Sequence, residues 1–278
     1  MTRLVTDTTA CLPQTVIDKF EISVIPQIIH FGEDSYTEGL DIDIHAFMEK
    51  LSQSKELPKT SAPSPKMFSS VFSAHQDPSE PIFCIHPSSD LSGNVRSAET
   101  AKLDFPDLEI SVIDTRLVAS PHGTVVHQAA QWNEEGMAPV ELFKNITSMS
   151  KRGRIYFLVS TLDYLARGGR IGSASALLGN ALQIKPILTL VNGKVEPHTK
   201  ERTFKKALAK IKAIVVDEYP SEREGFLTIM HAGNQELAES LSAYFSKTLN
   251  IPTPPISDLP PAIITHSGPG SIAVGFFC

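Results

Sequence analysis

Two α/β domains are what this sequence predicts, and three observations carry that expectation. Short apolar runs alternate with segments of helical spacing along the chain. Asn192-Gly193 stands between two apolar runs in the second half and signals a hairpin, so the second sheet should be mixed. The chain has 278 residues, 41% of them hydrophobic, which suits one large or two medium domains with cores of their own.

The elements follow in order. "RLVTDTT" reads as a strand with a polar end, after which Asp7 or Thr9 can cap the segment from Pro13 to Phe20. "ISVIPQIIHFG" reads as extended, because Pro26 breaks any helix there. "IHAFMEKL" has apolar residues at helical spacing, "KELPKTSAPSPK" reads as a loop, and "KMFSSVFSAH" is helical again. "PIFCIHP" and "EISVIDT" read as strands on either side of the helix "GNVRSAETAKL". Two helices, "HGTVVHQAAQWNEEG" and "APVELFKNITSMSKRG", complete the first half. This rhythm predicts a mostly parallel sheet flanked by helices over residues 1–152.

The pattern changes near Lys151, and residues 153–278 form the expected second domain. "RIYFLVS" reads as a strand and "ASALLGNALQI" as a small-residue helix whose face is Ala174, Leu177, Leu178, Ala181 and Leu182. The hairpin "KPILTLVNGKVEPH", the amphipathic helix "FKKALAKIKAIVVDEY", the strand "GFLTIMHA" and the helix "QELAESLSAYFSKTL" follow. "AIIT" reads as a strand, with His266 just after it.

Composition excludes several classes. A net charge of −6 argues against a nucleic-acid-coating surface, which needs clustered Lys and Arg. No apolar run is long enough to span a bilayer, and "MTRLVTDTT" lacks the apolar core of a secretory signal. The three cysteines, Cys11, Cys84 and Cys278, are too dispersed for a disulfide framework or a zinc site. The expected location is the cytoplasm, with no cofactor and no metal.

Four polar stretches carry the chemistry. "HPSSDLSGNVRSA" delivers Ser88, Ser89 and Ser92 to the carboxyl edge of a strand, where open α/β sheets bind ligands. Gly93 and Asn94 then begin a helix, whose free amides and positive end accept anions. Hydroxyls plus amides suit a carboxylate or phosphate; ordinary helix capping is the plainer account. "KTSAPSP" can present the Thr60 and Ser61 hydroxyls from a proline-stiffened loop. "YLARGGRIGS" places Arg167 and Arg170 around a glycine pair, with Ser173 positioned to cap the next helix. "THSGPGS" puts His266 beside a tight polar turn. A charged stretch around Lys200, Arg202 and Lys205 is a solvated face or a docking patch. Ser92 as a nucleophile with His266 as its base, the arrangement of a hydrolase or acyltransferase, stays open, although "SDLSGNV" lacks the G-x-S-x-G elbow. A phosphate-binding enzyme is disfavoured by the absence of G-x-x-x-x-G-K-[ST] and G-x-G-x-x-G.

The order "VTDTTACLP", "TSAPSP", "SSDLSGNVRSA", "VIDT", "YLARGGRIG", "IKPIL", Arg202-Thr203 and "THSGPG" resembles the DegV family of bacterial fatty-acid-binding proteins across essentially the whole chain. The resemblance implies two α/β domains, a buried acyl chain of about C14–C18, and a carboxylate held at the domain junction. It implies that Thr60, Ser61, Ser92 and Gly93 bind the carboxylate, that His266 joins them, and that Arg170 and Arg202 are the basic residues near the head group or a partner. It also implies a non-catalytic carrier that presents the acid to a separate kinase subunit. Three positions depart from the family pattern: Ala62 replaces Gln, Asn94 replaces Thr, and His86 stands where Ser or Thr is usual.

Overall fold

In the computed structural model, four parallel strands in the order β2-β1-β6-β7 build the first sheet. They are β1 (Arg3–Asp7), β2 (Ser23–Ile25), β6 (Ile82–His86) and β7 (Ile110–Asp114). The structure describes residues 1–75, 77–178 and 184–278. By internal contacts the chain divides into two units, Met1–Lys151 and Arg152–Cys278.

Every residue of β6 is buried, as a central parallel strand covered on both faces must be. Side-chain alternation sorts the two faces. Val5, Ile82 and Cys84 face α3 (Pro65–Ala74) and α4 (Asn94–Lys102), packing with Phe68, Phe72, Ala98 and Ala101. The register Val5↔Cys84 sets Asp7 and His86 side by side on that same face at the carboxyl end. Thr6 points to the opposite face and meets α5 (Ala119–Glu134) through His122. Gly123 permits that approach: a β-carbon there would lie 1.8 Å from the Ala10 carbonyl oxygen.

A second, antiparallel sheet has the order β4-β3-β5, formed by β3 (Ile28–Phe31), β4 (Asp34–Thr37) and β5 (Lys59–Ser61). Helix α2 (Ile44–Gln53) buries Phe47 and Leu51, and Phe47 packs on Phe31 at 5.7 Å between ring centroids. The short α1 (Gln14–Lys19) and the long α6 (Pro139–Arg152) complete the helices of this half. The stretch read as a loop around Lys59 therefore holds a strand, with Ile29↔Thr60 in register. Asp7 caps the 3-10 turn Thr8–Ala10, and α1 starts at Gln14, after Pro13, without a side-chain cap.

The second unit has a mixed sheet in the order β10-β9-β8-β13-β11-β12. Its strands are β8 (Gly153–Leu158), β9 (Lys185–Val191), β10 (Lys194–Glu201), β11 (Thr228–His231), β12 (Ile256–Asp258) and β13 (Ile272–Phe277). Among the described residues of this sheet, only β11 and β12 pair in parallel. β13, "IAVGFF", is buried throughout. α8 (Phe204–Glu218) and α9 (Gln235–Leu249) cover this sheet with Ile211, Val215, Leu241 and Phe245. The Asn192-Gly193 turn has φ of 49° and 78°, the twin positive values of a type I′ hairpin. Gly193→Ala should therefore cost about 1 kcal/mol in urea unfolding, because an L side chain disfavours that backbone region.

Two readings of this half are corrected. "AIIT" is not a strand: it lies inside α10 (Pro261–Ser267), so His266 sits in the last turn of a helix. Pro261 at the first helical position pre-sets the backbone, and Thr265 Oγ1 donates to the Pro261 carbonyl at 2.9 Å. Of the expected small-residue helix, Ala174–Leu177 lie in a 3-10 turn over Gly172–Leu177, and residues 179–183, with Ala181 and Leu182 of the expected face, lie outside the described residues. Ser173 does not cap a following helix; it sits inside that turn, and its hydroxyl donates to Glu196. Among the described residues, no helix is long and apolar enough to cross a membrane.

Candidate anion site and its surroundings

The first unit brings two of the four polar stretches together. Gly93 caps α4, and a β-carbon on it would lie 3.2 Å from the β-carbon of Ala62. The "KTSA" segment thus ends against the amino terminus of α4, a nine-residue helix whose first amides lack backbone partners. Thr60 and Ser92, both half-buried, come from those adjoining segments.

The hydroxyls have divided duties. Ser88 is fully buried and builds the loop: its carbonyl accepts from the amides of Leu91 at 2.9 Å and Ser92 at 3.0 Å, and its Oγ accepts from the Asp90 amide at 3.2 Å. Ser89 is exposed and accepts from the Arg116 guanidinium at 3.0 Å. Ser92 Oγ donates to Asn94 Oδ1 at 2.7 Å. Strand alternation sends Thr60 and Ser61 to opposite faces of β5. Ser61 is on the exposed face, where its hydroxyl meets His30 Nε2 at 2.7 Å.

The second unit unites the other two stretches. α7 (Asp163–Arg167) leads into Gly168-Gly169, which packs directly on α10. A β-carbon on Gly168 would lie 2.1 Å from His266 Nδ1. Arg170 Nη1 donates to the Gly168 carbonyl at 2.6 Å. Burial, aided by the Arg170 charge, lowers the His266 pKa to about 4, so its imidazole is neutral at physiological pH. The "SGPG" turn is fixed by Ser160 Oγ, which donates to the Pro269 carbonyl at 2.9 Å. Gly268 leaves room for the Tyr164 ring, 2.6 Å from where a β-carbon would stand. Arg202 is exposed, between β10 and Thr203, the residue that caps α8.

Sequence reasoning missed a buried network in the first unit. His86 Nδ1 lies 2.8 Å from Asp7 Oδ2, and both side chains are fully buried. Asp7 Oδ1 accepts from the Thr9 amide at 3.0 Å, the Thr9 hydroxyl at 2.5 Å and Gln27 Nε2 at 3.2 Å. Burial alone would raise the Asp7 pKa, but the hydrogen bond and charge of His86, with help from His122 and Thr9, lower it to about 2. His122 bonds Thr6 Oγ1 at 3.1 Å and Thr115 Oγ1 at 3.3 Å; burial lowers its pKa to about 4. The signal was a polar end on an otherwise apolar strand, "RLVTD", but its partners lie 79 and 116 residues away.

This Asp–His pair has the outline of a catalytic dyad without the nucleophile. Among the described residues, His86 Nε2 has no hydrogen-bond partner. The Ser92 proton rests on an amide oxygen, which is no base. Burial pushes the Cys84 thiol well above its ordinary pKa, so it is not a thiolate nucleophile.

The first unit is thus a parallel α/β unit that gathers hydroxyls and helix amides at the carboxyl edge of its sheet, the donor set an anion would require. The chain belongs to the DegV family, whose profile matches residues 1–278. A DegV domain-containing protein from Halalkalibacterium halodurans is 33% identical over 275 residues, covering 99% of this chain and 97% of that protein. Among solved structures, a fatty-acid-binding DegV family protein from Streptococcus agalactiae is similar with a TM-score of 0.92 and 29% identity, covering 100% of this chain and 98% of the other. DegV of Bacillus subtilis, described as a fatty acid binding protein, gives a TM-score of 0.90 and 28% identity, covering 100% of this chain and 99% of the other.

Proposed function

We propose that this protein binds a long-chain fatty acid of about C14–C18 and holds its carboxylate with Thr60, Ser92 and the amides that follow Gly93. The observation that carries this reading is the contact of Ala62 with Gly93, which gathers hydroxyls from two distant segments at the positive end of α4. The fatty-acid-binding relatives from Streptococcus agalactiae and Bacillus subtilis support it. His266 and Arg170 are the second unit's proposed contribution to the same ligand. Ser61, turned toward His30, is the weakest member of the predicted set.

The energetics divide the work. Sixteen carbons buried from water contribute about 0.8 kcal/mol per methylene, or on the order of 10 kcal/mol before ordering costs. A hydrogen bond to a charged head contributes about 1.5–3 kcal/mol. The tail supplies most of the affinity, and the hydroxyls orient and select. A carboxylate held by hydroxyls and amides keeps an oxygen that can still attack phosphorus. That suits a carrier that presents the acid to a separate kinase subunit, with exposed Arg202 on the partner side. The cytoplasm is the compartment this role implies. A Ser92–His266 hydrolase gains no support: the Ser92 proton points to Asn94, and the Arg170 charge lowers the His266 pKa, which disfavours the imidazolium that a catalytic base must become.

Equilibrium titration with hexadecanoate tests the reading. Thr60→Ala and Ser92→Ala should each weaken binding about tenfold, the loss of one charge-assisted hydrogen bond. Hexadecanoate affinity unchanged in both variants removes these residues from the site. Ester turnover abolished by Ser92→Ala would instead favour the hydrolase.

A further inference from the structure

Three buried side-chain polar atoms in the first unit have no hydrogen-bond partner among the described residues, Thr2 Oγ1, His86 Nε2 and Asn94 Nδ2, and the last two belong to side chains with no exposed surface at all. Leaving such a group unsatisfied costs about 1–3 kcal/mol, so a pair of them at one place calls for an occupant.

The fold sets His86 and Asn94 at the same end of one helix–sheet layer. Asn94, Ala98 and Ala101 form the buried row of α4, and Ala98 and Ala101 pack on Ile82 and Cys84 of β6. His86 continues that β6 face two residues beyond Cys84, at the carboxyl end of the strand. Asn94 continues the helix row one turn toward its amino end. A seven-residue loop, 87–93, joins the strand end to the helix start, so both atoms belong to the same end of the same layer. Phe68 closes that layer against His86, with ring centroids 5.2 Å apart.

Each side chain is held from behind by its other polar atom. Asp7 takes His86 Nδ1, and the Ser92 hydroxyl takes Asn94 Oδ1. Nε2 and Nδ2 are thereby left as the polar atoms of these two side chains without a partner among the described residues. Asn94 Nδ2 can only donate. His86 Nε2 donates when the ring is charged and accepts when it is neutral. A carboxyl group matches both cases: one oxygen accepts from Asn94, while the other shares a single proton with Nε2. The charged and titratable groups around His86 are Asp7 from β1, His122 from α5, its register partner Asp114 from β7, and Cys84 on its own strand; α3 contributes Phe68.

We infer that His86 and Asn94 are head-group ligands, adding an imidazole and an amide to the Thr60 hydroxyl and helix amides of the proposed carboxylate site, where the single Ser92 proton turns from Asn94 Oδ1 to the carboxylate. The inference rests on the reading that the ligand is a long-chain acid. It gives two of the three departures from the family pattern a common purpose: a His–Asn pair that discriminates more strongly for a carboxyl over an esterified head.

The test compares tetradecanoate with its methyl ester on the intact protein, on His86→Thr and on Asn94→Thr, the residue types usual in the family. Each variant should lose about tenfold in tetradecanoate affinity, with ester affinity unchanged. The His86 Nε2 nitrogen NMR signal of the wild-type protein should move on adding tetradecanoate and stay in place with the ester. That reading needs no variant to fold. Equal losses for acid and ester, or a stationary Nε2 signal in a saturated complex, overturn the assignment and leave fatty-acid binding intact. Lowered melting temperatures with unaltered acid-over-ester preference would make the pair a structural water site and also overturn it. A wild-type protein that binds neither ligand defeats the proposed function and this inference together.

Discussion

Asp7→Ala should destabilise the first unit by about 3–5 kcal/mol at neutral pH, measured by urea unfolding. The carboxylate satisfies His86 Nδ1, the Thr9 amide and hydroxyl, and Gln27 Nε2 inside a buried layer. Alanine orphans all of them, and each unmet buried donor costs about 1–3 kcal/mol. The same contacts give the wild-type protein an acid-labile step. The folded-state pKa of Asp7 is lowered from 3.8 to about 2. Above about pH 4 the carboxyl is ionised in both states, and its contribution is fully present. As pH falls from about 4 to 2, the unfolded chain takes up a proton that the folded chain refuses, so stability declines by about 2 kcal/mol across that window. Asp7→Asn should flatten this step. A wild-type profile unchanged between those pH values would show that the network does not hold Asp7 ionised.

Gly168→Ala should disrupt the second unit's cluster. The added methyl would stand 2.1 Å from His266 Nδ1 and 3.0 Å from the Tyr164 carbonyl. The ring sits in the last turn of α10 and is mostly buried, so it cannot swing away cheaply. Overpacking of this kind costs about 1–3 kcal/mol. The displaced imidazole should weaken hexadecanoate binding about tenfold if His266 is a head-group ligand. Stability lost with hexadecanoate affinity retained would confine His266 to a structural role.

These two sites show what the sequence could carry. Apolar runs such as "IFCI" and the Asn192-Gly193 turn speak for themselves, because burial on both faces and a twin positive-φ turn each restrict residue choice locally. "AIIT" did not, since four apolar residues fit a buried strand or a buried helix equally well; Pro260-Pro261 ahead of it was the deciding signal. β5 was hidden because Lys59-Thr60-Ser61 has no apolar alternation, and its strand character comes from pairing with β3. The hydroxyl stretches were visible as motifs, yet only the fold turns Ser61 away from Thr60 and commits Ser88 to its own loop. The Asp7–His86–His122 network was invisible, because its members are joined by strand register and not by spacing.

Mass spectrometry of an organic extract of the purified protein tests the central claim most directly. Acids of about C14–C18 should be recovered at close to one per chain, and Thr60→Ala combined with Ser92→Ala should strip most of them. A wild-type extract free of long-chain acid, from protein that also fails to take up added hexadecanoate, would contradict the account.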